Sequence, residues 1–183
     1  SFITAPNSGD HTRDVNGFAY LYTTTSWFFL DAVDVMASRD TVVVCAFGDS
    51  ITDGTHPTLN ANDRWVDVLS RRLHDAYGNK VSVVNEGIAG NRVVNPVIAN
   101  AAAGPAAVDR LDRDVLGLSG LTHVIWLEGI NDLGAAHPTA DIIAGYKNVV
   151  GRLHAKGITV YGSTMNSALG LNNPAQGWDL TTF

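Results

Sequence analysis

From residue 41 onward the chain repeats one unit, a short β-branched and apolar run followed by a longer stretch with apolar residues three and four apart. That alternation leaves few folds open. Residues 41–47, 81–85, 122–127 and 158–161 read as strands. Between them, 64–77 carries Trp65, Val68, Leu69 and Leu73 at helical spacing and stops at Gly78. Residues 105–116 turn Ala107, Val108, Leu111 and Val115 inward, and 139–154 opens at Thr139 and ends near Gly157. Strands alternating with helices pair in parallel through right-handed crossovers, which predicts a three-layer α/β/α sandwich. With 183 residues, 45% of them hydrophobic, one such domain can close a core.

The two ends depart from this rhythm. Residues 1–17 are polar, carry Pro6, Gly9 and Gly17, and read as an irregular lead-in. Residues 18–22 and 27–36 are aromatic and β-branched and predict a β-hairpin, so the expected division is 1–40 as lead-in and hairpin and 41–183 as the α/β domain. Residues 162–183 offer no further helix and no clear fifth strand. A sheet of four parallel strands would leave one face thinly covered, so the expectation is a fold truncated at its C-terminal side.

Charge and composition remove several function classes. A net charge of −6 with one adjacent basic pair, Arg71-Arg72, gives no face that would neutralise nucleic-acid phosphates. The single Cys45 lies in the first buried strand, so neither an intrachain disulfide nor a cysteine metal site is expected. No run approaches the roughly 20 apolar residues of a membrane span. The N-terminus lacks the layout of a signal peptide, although a mature secreted chain would look the same, and the compartment and oligomeric state stay open. Neither a Gly-x-x-x-x-Gly-Lys loop nor a Gly-x-Gly-x-x-Gly turn is present, which disfavours a phosphate or nucleotide binder.

Three blocks fall at the carboxyl ends of three successive strands, the edge where an open parallel sheet binds ligands. They are Gly48-Asp49-Ser50-Ile51-Thr52, Asn85-Glu86-Gly87-Ile88-Ala89-Gly90-Asn91-Arg92 and Glu128-Gly129-Ile130-Asn131-Asp132. Ser50 sits where a strand turns into a helix, so backbone N–H donors and the positive end of the helix dipole face whatever its oxygen attacks. It reads as a nucleophile. The glycines around Gly90 let a backbone N–H approach a developing oxyanion, and the Asn131 amide can donate to the same oxygen.

In order and placement these blocks resemble those of the GDSL or SGNH hydrolases, lipases and esterases with a flavodoxin-like sheet. The resemblance covers residues 41–161. It implies the SGNH hydrolase fold, with Ser50 as nucleophile, Gly90 and Asn131 as oxyanion donors beside the Ser50 N–H, and no cofactor or metal. It further implies hydrolysis of a carboxylic ester, with a short acyl or acetyl group on a small molecule or a carbohydrate. The family closes with Asp-x-x-His near the C-terminus, and no histidine follows residue 161. Asp53-Gly54-Thr55-His56-Pro57 has that spelling in the wrong place, which makes His56 the one substitute base offered by spelling.

Plainer roles compete for the remaining residues. Asp49, Asp53 and Asp132 are read as caps of helix starts ahead of catalytic groups. Gly90 alone would be a turn glycine and Asn131 a loop cap; their joint occurrence with Ser50 favours the functional reading. Arg92 either touches substrate or pairs with a carboxylate, and Glu86 is left unassigned. His74, His123, His137 and His154 are read as surface or capping residues. The competing function is an SGNH-like scaffold that binds a ligand without turning it over.

Overall fold

A computed structural model describes residues 2–24, 32–55, 57–58, 60–95, 103–165, 172–173 and 178–179. In chain order the elements are β1 (Phe2–Ile3), β2 (Tyr22–Thr23), β3 (Val42–Gly48), α1 (Ser50–Asp53), α2 (Trp65–Tyr77), β4 (Val81–Gly87), α3 (Ala107–Asp114), β5 (Leu121–Leu127), α4 (Ile130–Gly134), α5 (Thr139–Ala155), β6 (Thr159–Gly162), β7 (Asn172–Asn173) and β8 (Trp178–Asp179). Two compact units result, Ser1–Val35 and Met36–Phe183.

The second unit is built on a four-stranded sheet in the order β4-β3-β5-β6, parallel throughout. This is the flavodoxin-like order, with the strand order reversing at β3 and β5. β3 is flanked by a strand on each side, and Val44, Cys45, Ala46 and Phe47 are all buried, which is why it reads as a continuous apolar run. Right-handed crossovers put α2 on one face and α3 and α5 on the other. Cys45 and Phe47 of β3 and Val124 and Trp126 of β5 pack with Ala107 and Leu111 of α3, with Val115 just after it, and with Ile142, Val149 and Leu153 of α5. The expected α/β/α layers are therefore present, and the inward stripe of α3 is the one its sequence spacing predicts.

Three expectations change. The N-terminal ribbon exists, but it joins β1 to β2 antiparallel, with Phe2 opposite Thr23 and Ile3 opposite Tyr22. The first of these comes from the stretch read as irregular; of the expected strand 27–36, residues 27–31 lie outside the described residues and 32–36 form no strand. Val33, Val35 and Met36 are exposed, so this stretch has no buried face to fix a register. On α2, Val66 is buried while Val68 faces solvent, because that helix packs mainly on the edge strand β4. In the tail, β7 and β8 pair only with each other, antiparallel, and do not extend the main sheet.

Candidate active site

Ser50 is the first residue of α1, two residues beyond the end of β3. Asp49 caps that helix: its side chain accepts the Ile51 N–H at 3.0 Å and its carbonyl accepts those of Thr52 and Asp53. This takes up the N–H groups of Ile51, Thr52 and Asp53 and leaves the Ser50 N–H outside the capping set. Gly54, at φ 85°, closes the turn by donating back to the Ser50 carbonyl. With only four residues, α1 offers individual N–H donors and not the summed dipole of a long helix. Asn85 on β4 ties it down, its Nδ2 donating to the Thr52 carbonyl at 2.8 Å.

Gly90 stands in a tight turn in which the Asn91 N–H donates to the Ile88 carbonyl at 3.0 Å. Its φ of 78° at the turn's third position lies in the left-handed region, so the backbone alone favours glycine there. The turn's hydrogen bond does not use the Gly90 N–H. Asn131 lies buried in α4, beyond the end of β5, and its Nδ2 donates to the Asn91 carbonyl at 2.9 Å. The Gly90 turn and the Asn131 amide are thereby joined by one hydrogen bond.

Asp132 does not cap its own helix, whose N-cap is Gly129. Its carboxylate instead accepts the Val93 N–H at 2.9 Å and the Val94 N–H at 3.1 Å, fastening the chain after the Gly90 turn to α4. Asp53 is likewise no cap; it ends α1, and its carbonyl accepts Arg64 Nε. Burial raises the carboxyl groups of Asp49 and Asp132, and the charge of Asp132 pushes Asp49 further. For Asp132 the Val93 and Val94 hydrogen bonds work against that rise, as do the charges of His137 and Arg92.

Beneath these loops lies a buried pair that sequence reasoning missed. Arg110 of α3 and Glu128, just after β5, are both sealed from solvent with Arg110 Nη2 and Glu128 Oε1 4.0 Å apart. Burial pushes Glu128 up to about 7, against the Arg110 charge and the 2.8 Å hydrogen bond from Trp126 Nε1, while Asp49 and Asp132 add to the rise. The available signal was positional: Arg110 and Asp114 fall on the stripe of α3 that also carries Ala107 and Leu111, so a charge there had to be buried.

His56 lies outside the described residues. His74 and His154 are exposed on α2 and α5. His123 bonds Thr122 Oγ1 at 2.8 Å and stacks on Tyr161, a packing role. His137 is half-buried, not the exposed loop residue expected, and its charge acts on Asp132. Arg92 Nε is buried with no hydrogen-bond partner among the described residues.

A family model described as the GDSL-like lipase/acylhydrolase family matches residues 46–181. No curated protein matches. Among solved structures, AlinE4, described as an SGNH-hydrolase family esterase, superposes with a TM-score of 0.59 at 19% identity, over 78% of this chain and 67% of its own. EstA, a psychrotrophic esterase from Pseudoalteromonas sp., gives a TM-score of 0.52 at 21% identity, over 66% of this chain and 57% of its own. TesA gives 0.52 at 23% identity, over 67% of this chain and 59% of its own. The chain thus spans less than two thirds of the length of the last two, and at these identities the likeness to all three is one of fold.

Proposed function

The chain belongs to the GDSL-like lipase/acylhydrolase family, and from that premise we propose that it hydrolyses carboxylic esters through an acyl-serine intermediate on Ser50. What supports this reading is that Ser50, Gly90 and Asn131 each follow the carboxyl end of one of three adjacent strands, with Asn131 hydrogen-bonded to the carbonyl of Asn91, next to Gly90. In the proposed reaction Ser50 Oγ attacks the ester carbonyl carbon and passes its proton to a base. The carbonyl oxygen becomes an oxyanion held by the N–H groups of Ser50 and Gly90 and by the Asn131 amide. Collapse expels the alcohol, which takes up a proton. Water then attacks the acyl-serine, releasing the carboxylic acid and restoring Ser50. The proposed substrates carry short acyl or acetyl groups on small molecules or carbohydrate, and residues 41–183 are the proposed catalytic domain.

The test is labelling with a fluorophosphonate together with hydrolysis of p-nitrophenyl acetate. Wild type labels at Ser50, and Ser50→Ala loses both labelling and turnover, a fall of several orders of magnitude for a missing nucleophile. Equal labelling of the two proteins overturns the reading. The base is sought in the same assay: loss of turnover in His56→Ala alone points to His56, loss in His137→Ala alone points to His137, and full activity in both rules out these two histidines as the base.

A further inference from the structure

We propose that Arg110 is a positioning residue that sets the spacing of the oxyanion donors, acting through Asn91 on the Gly90 turn and on the Asn131 amide. The proposal rests on the reading of Ser50, Gly90 and Asn131 given above. Arg110 belongs to none of the three site loops; it reaches them from α3. Its Nη2 donates to the Gly48 carbonyl at 2.9 Å, two residues before Ser50. Its Nη1 donates to the Glu86 carbonyl at 2.9 Å and to Asp114 Oδ2 at 3.2 Å. Its Nε donates to Asn91 Oδ1 at 2.8 Å, next to Gly90. One guanidinium therefore joins the end of β3, the end of β4 and the turn beyond β4, and its face lies 4.2 Å from the centre of the Phe47 ring.

Asn91 passes the constraint onward. Its Nδ2 donates to the carbonyls of Ala103 and Pro105, both at 2.7 Å, which fixes the side chain from the far side. Its own carbonyl accepts Asn131 Nδ2. The sequence of contacts runs from Arg110 to Asn91 to Asn131, and each hydrogen bond in it is buried. The planar fork of an arginine suits this task because its donors keep fixed angles to one another; a lysine, with one nitrogen on a flexible stem, cannot satisfy four separated acceptors in the same way. A buried charge is also a poor device for stability alone, since well-packed apolar residues of similar volume often do as well.

The experiment compares wild type with Arg110→Lys and with Asn91→Leu, the second leaving the arginine in place but cutting its link to the turn. Each is measured for kcat and KM on p-nitrophenyl acetate, for thermal unfolding, and for the amide resonances of Gly90 and of the Asn131 side chain. In the folded variants kcat falls about 10²-fold, the cost of a small misplacement of catalytic groups. KM stays within about threefold, because the donors act in the transition state and not in ground-state binding. The Gly90 and Asn131 resonances shift. Retention of kcat in either folded variant, or unshifted resonances, overturns the proposal, and so does failure of both variants to fold, which would make the role one of stability. If wild type does not label at Ser50, the nucleophile reading falls separately, while the resonances still decide whether Arg110 orients Gly90 and Asn131.

Discussion

Asp132 follows Asn131 directly, and its carboxylate collects two backbone N–H groups from residues 39 and 38 positions earlier in the chain. A carboxylate can serve two donors at once, one per oxygen, whereas an asparagine in its place has one acceptor oxygen and turns an NH₂ towards the other N–H. Asp132→Asn is therefore expected to destabilise the fold by about 1–3 kcal/mol, the cost of a buried donor left without a partner. Urea denaturation at pH 7 with an unchanged slope checks this, and equal midpoints would mean that the loop after the Gly90 turn is held by something else. The role of Asp132 could not be read from the residue itself. As an acidic residue at a helix start it resembled a cap, and nothing local pointed to Val93 and Val94. Asp49 differs because its partner Ile51 is two residues away, so the capping assignment could be made from spacing alone.

At the scale of elements, the one-turn helix α1 rests directly on the end of β4. A Cβ at Gly87 would fall on the backbone of Thr52 and Asp53, which leaves no flexible side chain to move aside. Gly87→Ala must therefore push α1 away and carry Ser50 with it. We expect a stability loss of about 1–3 kcal/mol, as for other overpacked sites, together with a fall in kcat/KM larger than that of a purely destabilised protein at a temperature where both are folded. Gly151→Ala is the contrast. That glycine faces solvent in α5 with open space around it, so alanine should stabilise the helix by about 1 kcal/mol and leave kinetics untouched. Paired melting curves and steady-state kinetics on the two variants make the check. Strand and helix positions in this unit were legible because burial imposes period and composition on them. The N-terminal hairpin was legible as a hairpin, but which residues pair in it was not, since its two-residue ladder carries exposed side chains and leaves no pattern.

For the whole molecule, the carboxyl edge of the sheet holds buried carboxyl groups whose ionisation the fold opposes. Glu128 keeps its proton in the folded state up to about 7, while in the unfolded chain it releases it near its ordinary value of 4.5. Between those values the folded protein binds more protons than the unfolded one, so this group's contribution to stability falls as pH rises through the window and is level on either side. Glu128→Gln removes that dependence. The stability of wild type relative to the variant should drop by on the order of 3 kcal/mol from pH 4.5 to about 7, read from denaturation midpoints across the range; a flat difference would show that Glu128 ionises normally. The sequence by itself determined the α/β layers, the strands that build the sheet and the three blocks that gather at its carboxyl edge, because hydrophobic period and turn chemistry are local properties written residue by residue. Only the tertiary structure decided that Arg110 reaches Gly48, Glu86 and Asn91, that Asp132 binds Val93 and Val94, and that Glu128 is sealed against Arg110. These are polar contacts across long loops, and a buried charge finds its partners by proximity in space and by the cost of leaving it without them.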